Sequence, residues 1–292
     1  MSTVLITGHS GFTGRYLARL LEDKGLEVVG LDREAEGKNA VACDLTDQDA
    51  VYRVVREIQP DYVVHLAALS FVGHPDKEAF YRVNVLGTLN LLQALGSLDA
   101  SPRKVLVAGS ANVYGANACE VIDEDICPAP VNHYACSKLA MEHMVRTWFD
   151  RLPIVLTRPF NYTGVGQDEK FVIPKIANHF REGKKSIELG NMDVSRDFSD
   201  VRDVVRAYLA LLESEVHSET FNICSGKAFS LRWIIDALQA IAGYEMRITV
   251  NPDFVRASEI PVLRGENDKL KRMTGFSPRF HLRETLQWIC SA

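Results

Sequence analysis

Short apolar runs alternate along this chain with longer stretches in which apolar residues recur every three or four positions. Val4-Leu5-Ile6 opens the pattern and stops at Gly8. From Phe12 to Lys24, Tyr16, Leu17, Leu20 and Leu21 share one helical face, and Gly25 is placed to close that helix. Glu27 to Leu31 reads as the next strand and Val41-Ala42 as a short third. Thr46 is placed to cap a helix reaching Ile58, ahead of Pro60. Tyr62 to Leu66, Lys104 to Ala108 and Ile154 to Thr157 predict further strands, separated by helices over Lys77 to Leu95 and Asn132 to Phe149. The rhythm breaks between Gly164 and Gly190. It returns with a helix from Val201 to Leu212 and a strand from Thr220 to Ile223. Helices near Leu231–Ala242, Asp268–Thr274 and Leu282–Ile289, with a strand near Arg247–Val250, complete the pattern.

Buried apolar strands joined by helical crossovers imply a parallel sheet covered on both faces, with a smaller carboxy-terminal region woven into it. The 292 residues suit about two domains, or one large α/β unit with an extension. With 47% hydrophobic and 24% charged residues the chain can build a sizeable core, so disorder is excluded and no disulfide or metal is needed for folding. A net charge of −5 gives no electrostatic reason to expect binding along a nucleic acid. The charge is uneven: residues 1–150 carry 13 basic and 20 acidic side chains, residues 151–292 carry 20 and 18. Scatter explains such a split, and so does an anionic ligand held by the second half. Cys43, Cys119, Cys127, Cys136, Cys224 and Cys290 form no CxxC pair and no zinc spacing. Reduced thiols and a cytoplasmic location are expected. No apolar run is long enough to cross a bilayer, so no membrane is expected as a partner, and the amino terminus reads as a first strand rather than a signal peptide.

Chemistry enters at the first strand–helix junction. Gly8-His9-Ser10-Gly11-Phe12-Thr13-Gly14 has glycines where a tight turn, close approach of a pyrophosphate and helix-on-strand packing require them. Asp32, at the end of the second strand, is placed to accept the ribose hydroxyls of a dinucleotide and to disfavour a 2′-phosphate. Arg33 beside it has the opposite tendency. Asp44-Leu45 follows the third strand within reach of adenine. In His65-Leu66-Ala67-Ala68 the small residues leave room for a flat cofactor. Tyr134 and Lys138 lie four apart, on one face of a helix. An ammonium there favours phenolate, lowering the tyrosine pKa and making Tyr134 a general acid or base toward a carbinol or carbonyl oxygen. Ser110 follows an intervening strand, where its hydroxyl can bond the same oxygen.

With these residues the chain resembles the extended short-chain dehydrogenase/reductase superfamily, in its NAD-dependent epimerase/dehydratase, sugar-nucleotide-modifying branch. Further segments carrying the resemblance are Asn84 to Asn90, Ser110-Ala111-Asn112-Val113-Tyr114-Gly115, Arg158-Pro159-Phe160-Asn161 and Ser195-Arg196-Asp197-Phe198. The resemblance covers nearly the whole chain. It implies an α/β fold with a Rossmann-type doubly wound parallel sheet and a smaller carboxy-terminal substrate-binding region. Residues 1–162 would bind the dinucleotide, with 200–225 returning to them; 163–199 and 226–292 would bind the sugar nucleotide. It also implies Ser110, Tyr134 and Lys138 as catalytic residues, and NAD(H) or NADP(H) as cofactor, NAD(H) being slightly favoured by the Asp32 carboxylate. Asn84 joins the cofactor-binding set, together with Gly8, Gly11, Phe12, Thr13, Gly14, Asp32, Arg33, Asp44, Leu45, Ala67, Ala68, Tyr134 and Lys138, the last holding the ribose hydroxyls.

Dehydratases of this branch carry acidic residues just after the Ser or Thr, where Ala111 and Asn112 stand here. Without an acid and a base for elimination, hydride chemistry remains. Residues 190–198, 256–261 and 270–278 are similar to the GDP-mannose-processing members. The expected reaction is hydride transfer to C4 of a nucleotide-activated 4-keto-6-deoxyhexose, GDP-4-keto-6-deoxy-D-mannose giving GDP-D-rhamnose. A different 6-deoxyhexose product, a UDP- or GDP-hexose 4-epimerase, and a non-catalytic dinucleotide-sensing regulator stand as alternatives. By resemblance Arg196 and Arg256 grip the diphosphate, Glu259 accepts from ribose or guanine, and Asn161 bonds near the sugar phosphate, with Ser70, Ser110 and Lys175 completing the substrate set. Local alternatives are an ion pair of Arg196 with Asp197 or Asp200, and a solvated loop charge for Arg256. A homodimer is expected through the helices at 77–95 and 132–149. No motif includes His74, His133, His143, His179, His217 or His281.

Overall fold

The computed structural model describes residues 1–292 except 36, 38, 116, 118 and 255–260. Its centre is a sheet whose strands are buried on both faces. Strand β1 (Thr3–Thr7) leads through α1 (Phe12–Asp23) to β2 (Glu27–Asp32) and β3 (Ala40–Ala42). Helix α2 (Gln48–Ile58) precedes β4 (Tyr62–His65); α3 (Lys77–Tyr81) and α4 (Thr88–Leu95) precede β5 (Lys104–Ala108); α5 (His133–Arg146) precedes β6 (Ile154–Pro159). Six of the seven strands of the sheet are thereby placed. The seventh arrives late: after β7 (Asn161–Thr163), α6 (Val172–Arg181), β8 (Ser186–Leu189), β9 (Ser195–Asp200) and α7 (Val201–Glu213), the chain returns as β10 (Glu219–Ile223) to pair with β6. The order β10-β6-β5-β4-β1-β2-β3 is parallel throughout. It reverses direction at β1/β4, where a doubly wound sheet opens its crevice.

Two cores hold the helices to the sheet. On one face α1 and α7 pack with Val4, Ile6, Val64 and Leu106; on the other α2, α4 and α5 pack with Leu5, Val63, Val105 and Val107. The carboxy-terminal region comprises β11 (Ala228–Ser230), α8 (Leu231–Ala242), β12 (Arg247–Val250), β13 (Val262–Leu263), α9 (Asp268–Thr274) and α10 (Leu282–Ser291). Here α6, α8 and α10 bury Ile176, Ile234 and Leu286 in a third core. Strand β9 is its spine, pairing with β7, β11 and β13.

Several boundaries differ from the sequence pattern for identifiable reasons. Asp47, not Thr46, caps α2, its carboxylate accepting from Ala50 N at 3.0 Å, because Thr46 is engaged by Asp44. The predicted helix from Lys77 to Leu95 is interrupted by a π-helical stretch, Arg82–Gly87. The aperiodic stretch from Gly164 conceals α6, whose Pro174 sits in the first turn, where proline is tolerated. Strands β7, β9 and β11 have mixed polar sequences that carry no alternation signal. Among the described residues no helix is long and apolar enough to cross a membrane.

Candidate active site

A cavity of about 480 Å³ opens at the carboxyl ends of β1, β4, β5 and β6, roofed by β7, β9 and the loop after β7. Its floor is the glycine turn. Gly8 has φ +73°, and a Cβ there would lie 2.8 Å from Ala67 N. A Cβ on Gly14 would overlap the carbonyl oxygens of Gly8 and His9. The third glycine therefore serves packing of α1 on its own turn, rather than on a strand as the pattern suggested. Helix α1 starts after Gly11 with no side-chain cap and no acidic residue in its first turn. Its leading N–H groups and positive dipole end are left to face an anion, which fits the pyrophosphate of a dinucleotide.

Asp32 lines the cavity and accepts from Ser10 N at 2.9 Å. Ala67 and Ala68 line it as expected of small residues. Four sequence candidates lie elsewhere. Arg33 is exposed and off the cavity wall. Asp44 is turned to Thr46, accepting from its N and Oγ1 at 2.8 Å each, which holds its carboxyl below the usual range. Leu45 is buried in the core beneath, its carbonyl accepting from Asn90 Nδ2. Asn84, fully buried in the π-helical stretch, is spent on the protein: Leu69 N donates to its Oδ1 at 2.9 Å, and its Nδ2 donates to Leu69 O and Ser137 Oγ. It fastens the loop after β4 to α5.

His65 shows how completely the ground beneath the cavity is bonded. Its rings nitrogens lie 2.6 Å from Thr7 Oγ1 and 2.8 Å from Thr88 Oγ1. Thr88 Oγ1 donates to Asn84 O, so it accepts from His65 Nε2–H and leaves Nδ1 to accept from Thr7. This arrangement suits the neutral ring. Burial, helped by the nearby Lys138 charge, pushes the His65 pKa down to about 3.

Ser110 caps the turn Ala111–Tyr114 and receives bonds from Asn112 N at 3.2 Å and Asn112 Nδ2 at 3.1 Å. Tyr134 and Lys138 are buried on the cavity-facing side of α5, whose start is capped by Asn132. Burial pushes the Tyr134 pKa up to about 12, and the hydroxyl of Ser110 opposes that rise. The expected depression by Lys138 is not seen. Lys138 Nζ donates to Ala108 O at 2.8 Å, and burial drives its own pKa down to about 8. Desolvation is the largest cause at both groups.

Of the substrate candidates, Ser70, Ser110, Asn161 and Arg196 line the cavity. Arg196 Nη1 donates to Ser195 O at 2.9 Å. Asp197 is instead bonded by Ser225 and Gly226, and Asp200 by Arg202, so neither forms the ion pair considered for Arg196. Lys175 is off the wall, donating to Glu188 O and lying 4.8 Å from the Phe254 ring centre. Arg256 and Glu259 lie outside the described residues.

The sequence pattern missed Tyr162, Gln167, Phe171 and Tyr208 on the cavity wall. Tyr162 OH bonds Thr13 Oγ1 at 2.8 Å and its ring stacks on Phe12, tying the roof to the first turn of α1. Its position directly after Asn161 was the available signal. Gln167 and Phe171 fall in the aperiodic stretch, and Tyr208 looks like any core position of a helix.

A family model described as NAD dependent epimerase/dehydratase family matches residues 4–224. The chain belongs to that family. It is 38% identical over 278 residues to GDP-6-deoxy-D-talose 4-dehydrogenase of Aggregatibacter actinomycetemcomitans, covering 95% of this chain and 92% of that one. It is 35% identical over 299 residues to GDP-6-deoxy-D-mannose reductase of Pseudomonas aeruginosa, covering 99% and 96%. The solved structure of RMD from Pseudomonas aeruginosa complexed with NADPH superposes with a TM-score of 0.88 at 34% identity, covering 100% and 98%. The protein is thus an enzyme of an NAD(P)-dependent family that modifies nucleotide sugars by reduction or epimerisation.

Proposed function

We propose that this enzyme reduces C4 of GDP-4-keto-6-deoxy-D-mannose to GDP-D-rhamnose, binding the cofactor with residues 1–162 and 200–225 and the sugar nucleotide with 163–199 and 226–292. The observation that carries it is the ground around Ser110. The two residues after it are Ala111 and Asn112, and Asn112 is turned back onto the Ser110 hydroxyl. Neither supplies the acid and base that water elimination requires, so hydride chemistry at one carbon is what Ser110, Tyr134 and Lys138 can support. The relative named GDP-6-deoxy-D-talose 4-dehydrogenase favours one second reading, in which the product has the opposite C4 configuration.

A bound reduced nicotinamide would supply hydride to the sugar carbon. Tyr134, with its phenol kept protonated by burial, donates the proton to the oxygen at C4. Ser110 orients that oxygen by hydrogen bonding. Lys138 places a cation behind it. Arg196 meets the diphosphate with paired donors. NAD(H) is preferred over NADP(H) here because Asp32, and not Arg33, lines the cavity. A homodimer through the outer faces of α3, α4 and α5 belongs to the same proposal, supported by Leu86, 52% exposed between α3 and α4. Light scattering that finds monomers alone at micromolar concentration removes it.

The test is to offer GDP-4-keto-6-deoxy-D-mannose with NADH and with NADPH, follow loss of the reduced nicotinamide signal, and identify the sugar by NMR. GDP-D-rhamnose supports the proposal and GDP-6-deoxy-D-talose the second reading. No oxidation of either cofactor, with interconversion of UDP-glucose and UDP-galactose, replaces both by a 4-epimerase.

A further inference from the structure

A buried ion pair lies directly behind the catalytic residues and takes no part in the chemistry described so far. Glu142 is one helical turn beyond Lys138 on α5, as Lys138 is one turn beyond Tyr134. Its side chain is 1% exposed and pairs with Arg158 of β6, itself 4% exposed. Arg158 Nη2 donates to Glu142 Oε2 at 2.7 Å, and Nε lies 3.1–3.2 Å from both oxygens. The guanidinium also stacks 4.8 Å from the ring centre of Tyr114. The pair therefore joins the ends of three segments that line the cavity: α5, the turn begun by Ser110, and the strand leading to Asn161.

Glu142 is also pressed against the backbone between the Lys138 acceptor and Ser110. A Cβ on Gly109 would lie 2.6 Å from Glu142 Oε1. Gly109 separates Ala108, whose carbonyl receives Lys138 Nζ, from Ser110. A buried pair gains little net stability over apolar residues of similar volume, so stability alone gives little reason to put one here. An anion close to a desolvated ammonium does have a use, since burial works against the charged form.

We propose that the Glu142–Arg158 pair is a positioning device that keeps Lys138 a cation at the back of the cavity. Arg158 fixes the carboxylate in place and prevents it from closing on Lys138. The groups facing Lys138 are Tyr134 and Glu142 of its own helix and His65 of β4, with Arg158 of β6 behind Glu142. Burial keeps His65 neutral, and its two threonines bond the neutral ring, which leaves Glu142 as the anion that favours the Lys138 charge. The use of that charge in C4 reduction rests on the function proposed above.

The test is the titration of Lys138 in the whole protein, followed by NMR with 13Cε-labelled lysine, its signal assigned by its loss in Lys138→Met. In Glu142→Gln the midpoint should fall by at least one pH unit, and Glu142→Asp should restore most of the difference. Should Glu142→Gln fail to fold, the joint variant Glu142→Gln/Arg158→Met, which leaves neither charge alone, should show a smaller downward shift, because the more distant Arg158 cation is lost with the anion. An unchanged midpoint in whichever of these folds overturns the proposal. In turnover assays the pH limb assigned to Lys138 should move with the NMR midpoint. A shifted midpoint with no activity on any nucleotide sugar would sink the proposed reaction and leave the electrostatic role standing.

Discussion

Lys138 gives its ammonium to the carbonyl of Ala108, at 2.8 Å, and Tyr134 one turn earlier on α5 keeps its proton. The two side chains share a helix face but not a hydrogen bond. In the proposed reaction Tyr134 accordingly serves as the proton donor. Replacing it with Phe should leave sugar-nucleotide and dinucleotide affinities within a few-fold and reduce turnover by about 10²–10⁴-fold. Steady-state kinetics with separate binding titrations check this; full turnover in that variant would remove Tyr134 from the acid role.

His65 makes stability sensitive to acid. Its folded pKa, near 3, lies below the ordinary value of 6.5. Above 6.5 both states hold the ring neutral and the full contribution is present. Below 6.5 the unfolded chain takes up a proton that the native state refuses, and stability falls until about pH 3. Lys138 has the related form at higher pH: with a folded value of about 8 against 10.5, it penalises the fold below 8, and the penalty is relieved between 8 and 10.5. Urea unfolding across pH 3–11 should show His65→Gln flattening the acid slope and Lys138→Met flattening the gain above pH 8. Slopes unchanged by the substitutions would mean that other groups govern both limbs.

Two glycines separate local strain from site geometry. Gly25 has φ +77° with open space around its Cβ position, so Gly25→Ala should cost about 1 kcal/mol and leave dinucleotide affinity intact. At Gly14 a Cβ meets backbone carbonyls that cannot yield. Gly14→Ala should cost roughly 1–3 kcal/mol or more and abolish measurable dinucleotide binding. Thermal unfolding and fluorescence titration distinguish them; equal affinities in the two variants would contradict the assigned turn.

Arg196 is predicted to act on binding. Arg196→Ala should raise the KM for the sugar nucleotide about 10- to 100-fold with kcat little changed, and Arg196→Lys should recover only part of the loss. A fall in kcat at constant KM would place the residue elsewhere.

The chain's periodicity and glycine turn were enough for the parallel sheet, since strands buried on both faces must read as apolar runs and the turn needs glycine where a Cβ would strike backbone. Tyr134 and Lys138 were legible because helix geometry alone puts residues four apart on one face. What neighbours do to those groups was not legible. The rise at Tyr134, the fall at Lys138 and the neutrality of His65 all come from desolvation by residues distant in sequence. Asn84, Asp44 and Leu45 looked available for a cofactor until the tertiary structure supplied them with other partners or buried them. Tyr162 and Tyr208 reached the wall only because β7 and α7 were folded back over the sheet. The uneven charge between the halves hinted at an anion in the second one, but only the pairing of β9 with β7, β11 and β13 decided that Arg196 faces the cavity. Sequence determined which local elements and short-range pairs could form; packing decided which polar groups were left to act, because burial and hydrogen bonding are set by whatever the fold brings alongside.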